Sequence, residues 1–175
     1  MKKEIYFYGR TINSADYCKL IDKRIRKFIR TNNLFSTSDN ICIIDDSSAA
    51  FFVTKHILER LSLKFPINIS TQKKITKKAL EKFDKIVFPI TADHVIDEFL
   101  EDIFFYDIED FHKERPLSIL NTITEKECFL FAKEMKLIPK NMKMKKHLLD
   151  SFEDNFPETK FAALKSVDVI EDIIS

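Results

Sequence analysis

The chain has 175 residues, a formal net charge of +1 and a single glycine, Gly9. Average usage would give about twelve glycines, and no GxGxxG, GxxxxGK[ST] or GxSxG loop can be written with one, so the familiar phosphate cradles and hydrolase elbows are excluded. The near-zero charge excludes a global field that steers the whole protein to nucleic acid or membrane, while 45% hydrophobic residues allow a sizeable core.

The elements follow in chain order. Residues 4 to 8 (EIYFY) suit a short strand or an ordered arm. Asn13 or Ser14 offers an N-cap, and Tyr17, Leu20, Ile21, Ile25, Phe28 and Ile29 recur at helical spacing to about Thr31. TNNLFSTSDN has the turn chemistry of a loop. ICII (41 to 44) predicts a buried strand, and Ala50, Val53, Ile57, Leu58 and Leu61 predict a helix after it. INI (67 to 69) predicts a strand, and residues 73 to 82 a lysine-rich helix.

IVFPI (86 to 90) predicts a third strand, whose proline suits an edge or a strand end. Residues 92 to 106 predict an acidic helix with Val95, Ile96, Phe99, Leu100 and Ile103 on its apolar side. PLSIL (116 to 120) suits a last short strand. Thr124 and Glu127 form a T-x-x-E capping box for a helix through about Lys136. A helix near 143 to 153 is expected next. Pro157 suits the first turn of a last helix to about Ile173, with Asp154 and Asn155 separating the two.

This alternation predicts an α/β fold: three layers, a short parallel sheet with helices on both faces, and a helical C-terminal part over about 121–175. No repeat or low-complexity linker divides residues 1–175, so a single domain is expected. The three cysteines, Cys18, Cys42 and Cys128, are far apart and contain no CxxC pair. They read as buried free thiols of a reducing compartment rather than as a zinc knuckle or an iron–sulfur site. No apolar run is long enough for a bilayer and no signal-peptide core is present, so a cytoplasmic protein without membrane contact is expected.

Charge is segregated. Lys19, Lys23, Arg24, Arg26, Lys27 and Arg30 stand against one acid, Asp22. Residues 73 to 82 carry five lysines against Glu81, and residues 140 to 146 four more. Residues 91 to 110 carry eight acids and no lysine or arginine. Basic helices of this kind read as a surface for a phosphate backbone. Solvated faces opposite a core stripe give the same pattern. The acidic helix reads as a solvated face or a patch for a basic partner.

Asp45, Asp46, Ser47 and Ser48 lie between a strand and a helix, where parallel sheets bind ligands. The location suits a phosphate, but two carboxylates repel one and no glycine opens the backbone. A capped helix start is the simpler reading, with magnesium on Asp45 and Asp46 the alternative. His94 with Glu98, or Asp93 with Asp97, has i, i+4 spacing, but no further metal ligand is indicated. His56, His112 and His147 have no partner pattern, so neither a metal nor a catalytic set is expected.

The run DKRIRKFIRTNNLFSTSDNICIIDDSSAAFFVTKHILERL resembles the start of a PP-loop ATPase domain of the adenine-nucleotide α-hydrolase type. Asp45-Asp46-Ser47-Ser48-Ala49-Ala50 stands where that family has SGGxDS. TADHVIDEFLEDIF (91 to 104) resembles its TGHNxDDxAxTxLxxL segment, with Asp97 on the second Asp, Ile96 on the first, and Ala92 and Asp93 on Gly-His. Arg115-Pro116-Leu117 resembles its RPL segment. FPETKFAALKSVDVI (156 to 170) resembles the closing P-x-T-K-x-x-x-L-x-S stretch of the tRNA 2-thiolation branch.

The resemblance covers most of residues 20 to 172 and implies a PP-loop-like fold. The family adenylates a tRNA base with ATP and then transfers sulfur, using a glycine-rich loop, catalytic cysteines and, in this branch, zinc-binding CxxC pairs. These features are absent from the chain. The resemblance therefore implies a degenerate nucleotide loop (Asp45, Asp46, Ser47, Ser48, Ala49, Ala50, with Asp97) and a noncatalytic partner or RNA-binding subunit in tRNA modification. Its RNA contacts are expected at Lys23, Arg24, Arg26, Lys27 and Arg30, and at Lys73, Lys74, Lys77 and Lys78. No catalytic residue, metal or cofactor is expected. The partners expected are tRNA and a catalytic subunit. The alternatives are an active enzyme with ATP and magnesium held by Asp45, Asp46 and Asp97, with Ser47 and Ser48 on phosphate, and a protein-interaction module.

Overall fold

The computed structural model describes residues 4–7, 10–76, 81–105, 115–156 and 158–174. Strands β1 (Glu4–Phe7) and β2 (Arg10–Asn13) pair antiparallel, so the N-terminal strand is one arm of a hairpin. Asn13 then caps α1 (Ser14–Thr31), its side chain accepting from the Asp16 amide. Tyr17, Ile21, Ile25 and Ile29 recur every four residues and form the buried stripe of α1.

The central sheet has the order β4–β3–β5, all parallel, from β3 (Asn40–Ile44), β4 (Asn68–Gln72) and β5 (Lys85–Val87). Ile41, Cys42 and Ile43 alternate across β3 and all have 0% exposure, so both faces of the middle strand are covered. Helix α2 (Ala49–Ser62) follows β3, α3 (Ala92–Phe105) follows β5, and α4 (Glu125–Glu134) opens with both bonds of the Thr124–Glu127 capping box. Helices α5 (Asp150–Asn155) and α6 (Thr159–Ile174) close the chain. The main core joins the hairpin, α1, the sheet, α2 and α4; a second, smaller core joins Val95 and Phe99 of α3 to Val167 of α6. The fold is the expected mixed α/β arrangement with a short parallel sheet. Among the described residues, no helix is long and apolar enough to cross a membrane.

Several local expectations are corrected. Residues 73–76 are not helical, since the chain bends at Lys73 and Lys74 after β4, while Glu81 and Lys82 at the end of the expected helix are helical. Like charges one turn apart, Lys73 with Lys77 and Lys74 with Lys78, disfavour a helix start there, although Lys77 and Lys78 themselves lie outside the described residues. Residues 143–147 are also irregular, and the helix begins only at Asp150. Asp154 and Asn155 belong to its last turn instead of separating two helices; Glu158, at φ 76, makes the break. Pro157 and His112 lie outside the described residues.

The segment 116–120 is strand-like without forming a full ladder. Phe88 donates its amide to the Leu117 carbonyl at 2.8 Å, and Thr91 bridges Leu120 in parallel. The Ser118 hydroxyl donates to the Ile90 carbonyl at 2.6 Å, replacing a backbone rung. Pro89 ends β5, as its missing donor requires.

With one glycine available, left-handed turns fall on other residues. Asn33 and Lys136 have φ 48 and 57 just after α1 and α4. In both, two amides fold back on the last turn: Asn33 to Arg30 and Leu34 to Ile29, Lys136 to Lys133 and Leu137 to Ala132. This is the Schellman arrangement that glycine normally occupies.

Candidate functional site

The carboxyl ends of the parallel strands converge on the start of α2, the start of α3 and the start of α4. Ligands bind at this edge of an open parallel sheet. In the β3–α2 loop the two aspartates turn inward. Asp45 Oδ1 accepts from the Ser47 amide and Asp46 Oδ1 from the Ser48 amide, both at 2.9 Å. Ser48 Oγ accepts from the Phe51 amide at 3.1 Å and caps α2. Ser47 has φ 59, a conformation a glycine would hold without strain. Ala49 and Ala50 are buried in the first turn of α2.

At the start of α3, Asp93 and Lys160 are each 1% exposed and form an ion pair. Lys160 also pairs with Asp150, and Asp93 Oδ2 accepts from the Glu125 amide. Burial pulls the Lys160 pKa down, but its hydrogen bonds to Asp150 and Asp93 outweigh that and leave it raised. Asp97 Oδ2 meets His147 Nδ1 at 2.7 Å across fifty residues of sequence. Thr91 Oγ1 meets His94 Nδ1 at 2.9 Å, and the two histidine rings stack edge to face at 4.8 Å. Burial, then His147 and Lys145, hold His94 below the ordinary histidine range.

His94, Glu125 and His147 each offer a ligand atom, and these atoms lie within 4.8 Å of one another. Glu125 Oε2 and His147 Nε2 are buried without a hydrogen-bond partner. Burial is the main cause that raises the Glu125 pKa, with Asp93 and Asp46 adding to it against His147 and Lys145. A cavity of about 690 Å³ adjoins the cluster, lined by Tyr6, Phe7, Thr124, His147, Asp150 and Lys160.

The basic residues separate into two kinds. Lys23, Lys27 and Arg30 are exposed along one side of α1, and Lys73 and Lys74 are exposed after β4. Arg24 instead pairs with the buried Glu127 and lies 5.4 Å from the Phe161 ring centre. Arg26 bonds Asp22 at 2.9 Å, and Asp22 also takes Arg60 at 3.2 Å.

No protein-family model matches the chain, and no curated protein matches it by sequence. A solved structure does match: the U34-tRNA thiolase NcsA from Methanococcus maripaludis with its [4Fe-4S] cluster. The TM-score is 0.71 over 95% of this chain and 84% of that one, at 13% identity. This chain has a PP-loop-like fold. The likeness extends over nearly the whole chain, including the helical C-terminal part.

One expectation is overturned. Neither a cofactor nor a metal was expected, yet the similar structure carries a [4Fe-4S] cluster and this chain gathers His94, Glu125 and His147 into a group able to hold an ion. The donors differ in kind from those of a cluster. Cys18, Cys42 and Cys128 are free thiols on α1, β3 and α4, burial raises the pKa of each, and among the described residues they join no ligand group. Their placement does not fit an iron–sulfur cluster, which needs converging thiolates. Asp45, Asp46 and Asp97 form no such group either among the described residues.

Sequence reasoning missed Glu125, Glu127, His147 and Lys160 as site residues. Glu127 is visible in the sequence as part of the capping box and Lys160 as the lysine of the P-x-T-K stretch, whereas Glu125 carries no signal beyond its place beside Thr124. His147 sits in an irregular segment with no local signal. Of the i, i+4 pair His94 and Glu98, only His94 joins the cluster; Glu98 is exposed and remains outside it.

Proposed function

We propose that this chain is a noncatalytic, RNA-binding partner in tRNA modification, built on a PP-loop-like fold whose nucleotide loop no longer receives ATP. The observation that carries the reading is the occupancy of that loop. A pyrophosphate needs free backbone amides at the start of a helix. Here the Ser47, Ser48 and Phe51 amides already have acceptors in Asp45, Asp46 and Ser48. A polyphosphate entering the loop has to displace two carboxylates from their own amides and then face their charge.

The exposed cations support the RNA half of the reading. Lys23, Lys27 and Arg30 share one side of α1, and Lys140, Lys143, Lys145 and Lys146 are exposed in the segment before α5. Such clusters suit a phosphate backbone, which carries regularly spaced negative charge. The similarity to a tRNA thiolase supports tRNA as the RNA in question. A catalytic subunit then supplies the chemistry.

The test is tRNA binding measured over a salt series, with and without millimolar ATP and magnesium. The reading expects a steep loss of affinity with salt and no effect of the nucleotide. Binding that requires ATP, or no salt-dependent binding, overturns it.

A further inference from the structure

We infer that His94, Glu125 and His147 form a binding site for one divalent transition-metal ion of the zinc class, which fastens the lysine-bearing segment before α5 to the start of α3 and α4. The three ligands come from three separate stretches of chain: α3, the first turn of α4, and residue 147 of the irregular segment. Two imidazoles and a carboxylate suit zinc and leave its fourth position for water or a partner's donor.

The geometry prepares the ligands. The Asp97 carboxylate accepts, so His147 Nδ1 donates to it and Nε2 is the ring nitrogen left to face an ion. That Nε2 is buried and has no hydrogen-bond partner, in a side chain 1% exposed. Glu125 is 5% exposed and its Oε2 is likewise unpartnered. Two buried acceptors facing one small region are costly unless something between them satisfies both. Asp97 behind His147 is the kind of carboxylate partner that orients a metal-binding imidazole, and Thr91 holds the His94 ring through Nδ1.

Ligands about 2.1 Å from a tetrahedral ion stand about 3.4 Å apart, so donor atoms that lie within 4.8 Å of one another draw together on binding. Glu125, Asp93, Asp97, Asp46 and Asp150 act electrostatically around the site or on its ligands, against Lys145 and the Lys160 that pairs with Asp93 and Asp150. Carboxylates outnumber ammoniums there, a surplus of negative charge that suits a cation.

The test is a titration of the chelator-stripped full chain with zinc chloride against a chromophoric competitor. We expect one ion per chain. Glu125→Gln and His147→Gln should each weaken binding at least a hundredfold. Asp97→Asn keeps all three ligands and should weaken it about 10–100-fold through the orientation of His147. Circular dichroism checks that each variant is folded, and the Asp97→Asn result stands if a ligand variant is not. Cobalt in place of zinc should give a visible spectrum without a thiolate charge-transfer band, unchanged by Cys18→Ser. No binding at micromolar zinc, binding that survives both Glu125→Gln and His147→Gln, or a thiolate band overturns the site.

Discussion

The Lys160 ammonium and the Asp93 carboxylate form an ion pair from which solvent is nearly excluded, joining the last helix to the first turn of α3. Asp93 also receives the Glu125 amide, so one carboxylate ties α6, α3 and α4 together. Removing one partner of such a pair strands the other charge in a poorly solvated site. Lys160→Met should cost about 3–5 kcal/mol, read as a fall in the urea midpoint. A loss below 1 kcal/mol would show that the pair is dispensable.

Arg24 should behave differently from its neighbours on α1. It faces the buried Glu127, whose carboxyl is held above the ordinary range chiefly by burial, with Arg24 opposing. Arg24→Ala should therefore destabilise the fold by about 2–3 kcal/mol. The combined Lys23→Glu, Lys27→Glu and Arg30→Glu variant should leave stability nearly unchanged. It should weaken tRNA binding and lower the salt slope by roughly 2–3. Unchanged tRNA affinity in the triple variant removes this face from the interface.

A glycine should help at Lys136. This residue closes the Schellman turn of α4 at φ 57, where a Cβ is disfavoured. Lys136→Gly relieves that strain but loosens the unfolded chain, a partial offset. The net expectation is a gain of about 0.5–1 kcal/mol in denaturant unfolding. A loss would mean that the lysine side chain contributes more than its backbone costs.

Acid should weaken the start of β5. The Asp84 carboxylate accepts from the Asn40 amide at 2.8 Å and from the Asn40 side chain at 3.0 Å. These bonds, the backbone one first, hold its pKa below the ordinary aspartate value. A lowered folded pKa means the unfolded state binds the proton more readily, so this stabilisation is present above about pH 4 and lost as pH falls through the folded value. Asp84→Asn should flatten the stability profile in that window and leave it parallel to the parent above pH 5. An unchanged acid slope contradicts this.

The residues differ in how far their roles could be read in advance. The stripe Tyr17, Ile21, Ile25 and Ile29, the Asn13 and Ser48 caps and the Thr124–Glu127 box are local patterns, and each produced the expected helix. The β3 run was legible because a short, continuous apolar segment suits a strand covered on both faces. The site was far less legible. His147 meets Asp97 fifty positions away, and Lys160 meets Asp93 sixty-seven positions away. No spacing rule reaches across such distances; tertiary packing alone brings these residues together. The missing helix at 143–147 has a related cause, since His147 is engaged with α3 and its amide bonds Asp150 at 2.8 Å.

The glycine deficit bears on function only through the loop that would hold a nucleotide. There, Asp45 and Asp46 occupy the Ser47 and Ser48 amides and Ser47 takes the turn a glycine would make. Calorimetry with ATP and magnesium on the folded full chain tests that claim directly. The account predicts no binding heat up to millimolar nucleotide. Saturable binding with a micromolar Kd would contradict it and return the loop to nucleotide chemistry.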